Sequence, residues 1–119
     1  MTGFELIRML VLNEIADDYE EPKHLHEQLA SLAERCGMTI QPLDVRHALI
    51  DLVRIGWAKA YRLSQKEPVE EVRGTPSAEL AEDYYYWITD KGRQVQSCFD
   101  GWPFDDTGEI IPGWRPPVE

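Results

Sequence analysis

The chain has 119 residues, enough for one domain with a single sizeable core and too few to suggest a second. Apolar residues make up 43% of it, and no apolar run approaches the roughly 18 residues needed to cross a bilayer, so no membrane span is expected. The formal net charge of −10 opposes phosphate binding by the molecule as a whole, because nucleic acids are held by cations.

In chain order, a first helix is expected over residues 3–18. Thr2-Gly3-Phe4-Glu5 has the pattern of a capping box, with a hydroxyl that accepts a backbone N–H and a glutamate that reaches back. Apolar residues from Phe4 to Ala16 surround most of this helix, where an ordinary surface helix has one apolar stripe. Such a helix is either central in the core or also faces a partner subunit. The acidic run Asp17-Asp18-Tyr19-Glu20-Glu21 ends it. A second helix, 22–36, starts with Pro22 in the first turn, buries Leu25, Leu29, Leu32 and Ala33, and stops at Gly37 in a left-handed cap. A third, 42–55, starts at Pro42, places Val45, Ala48, Leu49 and Leu52 on one face, and ends at Gly56.

The period then changes. Trp57 to Leu63 alternates like a strand, with large residues on one side and small or basic ones on the other. Residues 83–88, with the run Tyr84-Tyr85-Tyr86-Trp87-Ile88, form a second strand, antiparallel to the first. Alternate residues of a strand face opposite ways, so half of these aromatics should pack in the core; stacking on bases is the competing use. Between the strands, Ser64 to Asp83 is a long acidic loop with helical character at Ser77–Glu82. Thr89 caps a fourth helix, 89–99. The fold class expected is α+β, mainly α: a helical core with a two-stranded antiparallel β-ribbon. Residues 100–119 are rich in proline and tryptophan and should pack on the domain, because Trp102, Phe104, Ile110, Ile111 and Trp114 would each forgo about one to three kcal/mol in water.

Charge is unevenly placed. Residues 1–21, 64–83 and 100–119 carry −5, −4 and −4, while 22–63 carries +2 and 84–99 carries +1. Cys36 and Cys98 lack metal-type spacing and read as buried free thiols. With no basic start or cleavage site of a signal peptide, a cytoplasmic setting is expected.

The order Val45 to Ala58, then Trp87-Ile88-Thr89-Asp90-Lys91-Gly92-Arg93, resembles a winged helix-turn-helix domain of the MarR or PadR kind over residues 4–99. The resemblance implies a transcriptional regulator, homodimeric, with a helix-turn-helix from Pro22 to Ile55, whose second helix enters the major groove of double-stranded DNA, and a wing that touches phosphates. Its groove-facing candidates here are Asp44, Arg46, His47, Ile50 and Asp51. Arg46 can pair with guanine and His47 can donate to a base or phosphate, while Lys59 and Arg62 on the ribbon can meet phosphates. The turn from Gly37 to Gln41 is longer than in such regulators, the wing tip is acidic, and Ile50, Val53 and Ile55 are apolar where polar residues are usual. A second class of function fits these departures: an acidic winged-helix protein–protein interaction module that does not bind DNA, using Ile50, Val53, Trp102 and Trp114.

Catalysis is not expected, nor is a cofactor. There is no Gly-rich phosphate loop, nucleophile elbow or His-Glu metal helix. His24 and His26, two apart on a helix, point apart and have no further ligands, so no metal site is expected. The sequence specifies no operator and no small-molecule effector.

Overall fold

The computed structural model describes residues 2–16, 20–62, 70–77, 79 and 81–117. The chain is α+β, with helices α1 (Gly3–Glu14), α2 (Pro22–Arg35), α3 (Pro42–Arg54) and α4 (Asp90–Cys98). Strands β1 (Ala58–Arg62), β2 (Glu70–Glu71) and β3 (Tyr85–Ile88) form an antiparallel sheet in the order β2-β1-β3. A short 3-10 helix, Ala81–Asp83, precedes β3. The β1–β3 pair is the expected ribbon, with Ala58 opposite Ile88 and Tyr61 opposite Tyr85. β2 adds a short outer strand in a stretch that reads as loop in the sequence. The helix expected to reach residue 18 ends at Glu14, with Ile15 as its cap and Ala16 in a turn. Residues 17 and 18, the end of the first strand at Leu63 and the loop's first residues, 64–69, lie outside the described residues, as do residues 78 and 80 of the expected helical stretch.

Local chemistry sets the helix ends. Thr2 accepts from the Glu5 N–H and Glu5 reaches back to the Thr2 N–H, completing the capping box. Gln41 and Asp44 cap α3 reciprocally behind Pro42. Both α2 and α3 close with a Schellman motif. Met38 N–H donates to the Ala33 carbonyl and Gly37 N–H to Glu34; Trp57 N–H donates to Leu52 and Gly56 N–H to Val53. The reversal at Gly56, with φ +84°, turns the chain from α3 directly into β1.

The broad apolar girth of α1 is used within one chain. Leu6, Ile7, Met9, Leu10, Val11 and Leu12 are all buried, because α1 lies among α2, α3 and α4. Of the two readings of this helix, the central one therefore accounts for its composition without a partner subunit. The sheet turns its small residues inward: Ala58 and Ala60 are buried while Lys59 is exposed. Tyr86 and Ile88 on β3 complete that face, and the Tyr86 hydroxyl donates to the Ala81 carbonyl at 2.8 Å. Burial, with the Tyr84 phenol and the Asp83 carboxylate close by, pushes the Tyr86 hydroxyl far up and keeps it protonated. The outer edge of β3 is closed by Glu20, which exchanges two backbone hydrogen bonds with Tyr86.

The segment after α4 folds back on the core. Trp102 meets Phe99 edge-on at 4.5 Å and stacks on Phe104 at 5.7 Å, and Pro103 is fully buried. Trp114 packs against the same core. Two expectations need correcting. Cys98 is exposed because it lies on the solvent side of the last turn of α4, although Cys36 is buried as expected. Burial pushes the Cys36 thiol up against the opposing charge of Arg35. Asp51, expected to face the groove, is instead held between two arginines of different helices.

Candidate functional site

α3 has two faces. Val45, Ala48, Leu49 and Leu52 point into the core. On the opposite side Leu43, His47, Ile50 and Arg54 recur at successive turns and form an outward crest. Leu43 retains 46% of its surface, the largest exposure among the big apolar side chains. His47 is exposed and Ile50 half-buried. Of the four side chains expected to engage a protein partner, only Ile50 lies on this crest. Val53, Trp102 and Trp114 are partly buried against the chain's own core.

The side chains expected to meet DNA lie on α3 and β1, and two of the four, Arg46 and Lys59, face carboxylates. The guanidinium Nε of Arg46 is 3.8 Å from Glu82 of the 3-10 helix. That is proximity of charge beyond hydrogen-bond reach, and the Nε is buried without a hydrogen-bond partner among the described residues. Lys59 reaches Glu71 across the β1–β2 pair at 3.2 Å. Arg62 lies over the Tyr84 ring at 5.6 Å. His47 keeps an open position on the crest. Thus Glu71 and Glu82, both from the acidic stretch after β1, counter the cations of the two elements that a duplex would have to approach.

A third centre lies at the side of α3. Asp51, whose side chain is 14% exposed, accepts from Arg8 of α1 at 2.8 Å and pairs with Arg54. Arg8 also lies over the Trp57 ring at 5.3 Å. Partial burial pushes the Asp51 carboxyl up, but the hydrogen bonds and charges of Arg8 and Arg54 outweigh it and hold the group below the usual aspartate range. Sequence reasoning missed this link, because nothing local relates Arg8 to Asp51. The one available signal was an arginine interrupting an otherwise apolar helix, which needs a partner when that helix is central.

The stretch Thr89 to Arg93 joins elements together. The Thr89 hydroxyl donates to the Gly56 carbonyl at 2.8 Å and accepts from the Gly92 N–H at 3.0 Å. A Cβ at Gly92 would stand 2.2 Å from the Trp57 carbonyl oxygen, so glycine allows the first turn of α4 to touch the α3–β1 junction. Arg93 donates to the Ala16 carbonyl and lies over Trp87. Thr89, Gly92 and Arg93 therefore hold α4 against the α3–β1 junction and the end of α1.

Hollows border α3 and β1. One, of about 460 Å³, lies between β1 and the start of α4 and is lined by Gly56, Lys59, Thr89 and Lys91. Another, of about 500 Å³, lies where α2, the start of α3 and the 3-10 helix meet; Glu21, Glu27, Glu82 and Asp83 line it with Lys23 and His26. His26 spends its Nε2 on the Ile40 carbonyl, and His24 lies 3.6 Å from Glu20. Among the described residues no group of three or more His, Cys, Asp or Glu is arranged to hold a metal ion. No helix among them is long and apolar enough to cross a membrane. Comparison with protein-family models, with characterised proteins and with solved structures gave no match.

Proposed function

We propose that this chain is an acidic winged-helix protein–protein interaction module, not an enzyme, and that α3 and the β1–β3 ribbon do not serve as a nucleic-acid surface. The observation that carries this reading is the pairing of Lys59 with Glu71 and of Arg46 with Glu82, beside the shared Asp51 of Arg8 and Arg54. A phosphate approaching this face meets Glu71 bound to Lys59 and Glu82 close to Arg46. Counterion release, the main drive for non-specific duplex binding, needs cations that phosphates can neutralise. The total of −10 opposes approach from further away.

The arrangement of elements supports the winged-helix part. Helices α2 and α3 follow each other through a turn, α3 runs through Gly56 into a strand, and the returning strand ends at the cap of α4. A fold of this kind does not fix its use. The second reading, a DNA-binding regulator, is favoured by one feature: Lys59 and Lys91 line an open hollow at the N-terminal end of α4, with His47 and Arg54 outward on α3.

A gel-shift titration on random duplex at low salt separates the two. We expect no shift at tens of micromolar protein. A shift that weakens steeply with added salt would overturn the interaction reading in favour of the regulator.

A further inference from the structure

Among the described residues, no element lies across the outward crest of α3, where Leu43 is exposed and Ile50 partly so. Leu43 and Ile50 lie on it with His47 between them. Pro42 lines the 500 Å³ cleft, and Leu43 follows it directly in the chain, so the N-terminal end of the crest begins beside the cleft. The cleft walls set the chemistry of what can lie there. Glu21, Glu27, Glu82 and Asp83 stand against Lys23. Glu82 is shared with Arg46, but among the described residues no cation pairs with Glu21, Glu27 or Asp83.

Resting on the interaction-module reading, we propose that the α3 crest and its adjoining cleft dock a basic amphipathic segment of another protein. The segment's apolar side chains cover Leu43 and Ile50, and its lysines or arginines enter the cleft. Charge complementarity selects this occupant. A second copy of the chain would bring its own carboxylates and a further −10. Nucleic acid and an anionic lipid surface bring more negative charge to walls that already carry it. A cationic side chain instead gains charge-assisted hydrogen bonds to carboxylates that pair with no described cation, and the net charge of the molecule draws it in. An apolar centre beside a charged rim is also the usual anatomy of a protein interface.

The test follows amide chemical shifts by NMR on the full chain while three probes are added separately. The probes are a synthetic helical peptide of leucine and lysine, its leucine–glutamate counterpart, and a random DNA duplex at low salt. The lysine peptide is expected to move the amides of Leu43, His47 and Ile50 together with those of Glu27 and Asp83, and to leave Asp105 to Glu109 in place. The glutamate peptide is expected to move none. Leu43→Asp and Asp83→Lys should each weaken the lysine peptide by about tenfold or more, the loss of one good contact. Asp106→Lys, an exposed acid in the C-terminal segment, should leave its affinity unchanged. Leu43→Asp is suited to folding, because it places an acid in the first turn of α3, where the helix dipole favours one. A lysine peptide that moves nothing, that moves the C-terminal acids equally, or that loses as much affinity in Asp106→Lys overturns the inference and leaves the non-DNA reading in place. Duplex-induced shifts at His47 and Arg54 overturn that reading itself.

Discussion

Leu49 and Leu43 lie on opposite sides of one helix, the first with no exposed surface and the second with 46% of its own. The same residue type therefore does two jobs on α3. Inward, Leu49 joins Val45, Ala48 and Leu52 in a core shared with α1, α2 and the sheet. Outward, Leu43 and Ile50 stand beside His47 and Arg54 with no neighbouring helix across from them. Apolar periodicity alone cannot distinguish a side chain that stabilises the fold from one available to a partner. Position around the helix can, once the core direction is known.

The largest expected effect tests this contrast. Leu49→Ala should destabilise the protein by about 2–5 kcal/mol, combining lost transfer energy with a cavity the helices cannot close. Leu43→Ala should change stability by no more than about 0.5 kcal/mol, as is usual for an exposed position. Urea denaturation of the two variants measures the difference. Similar losses would mean that Leu43 is covered in solution and that the crest is not free.

Asp51 lies between the two faces and should give an intermediate effect. Replacing it with alanine removes hydrogen bonds to two guanidinium groups and leaves Arg8 half-buried beside Trp57. A loss of about 1.5–3 kcal/mol is expected, the range for hydrogen bonds to charged groups. The contribution also depends on pH. The folded-state pKa of Asp51 is lowered, so its stabilisation is complete above the unfolded aspartate value of about 3.9 and fades as pH falls through the folded value. The stability gap between the natural chain and Asp51→Asn should therefore be constant near neutrality and narrow below about pH 4. A gap that stays constant into acid would show that packing, and not charge, ties Asp51 to Arg8.

Most of the helical frame was legible because its signals are local. Thr2 with Glu5, Pro22, Pro42, Gly37 and Gly56 each state a boundary through their own backbone or side-chain chemistry. The residues Tyr84 to Ile88 likewise marked the β3 strand and the burial of half of its side chains. What could not be read was tertiary pairing. Arg8 meets Asp51 across helices, with no local signal relating the two. Lys59 and Arg46 looked available for phosphates because Glu71 and Glu82, remote in sequence, were counted as loop charge and not as their neighbours. β2 escaped notice because two glutamates have no strand propensity; they pair there because β1 offers an open edge.

The smallest expected effect concerns those same pairs and separates stability from recognition. Lys59 and Glu71 are each about half exposed, so solvent screens their attraction and side-chain entropy opposes it. A double-mutant cycle of Lys59→Met and Glu71→Gln should give a coupling of about 0.2–1 kcal/mol at low salt, smaller at high salt. Yet if Glu71 matters by occupying Lys59, Glu71→Lys should bring random duplex closer to binding than Glu109→Lys, which makes the same change in net charge in the C-terminal segment. A gel-shift comparison of the two at low salt reads this directly. Equal behaviour would assign any gain to total charge. A larger gain for Glu71→Lys, with little change in stability, would show that the carboxylate shapes what the β1–β2 edge excludes more than how firmly the protein folds.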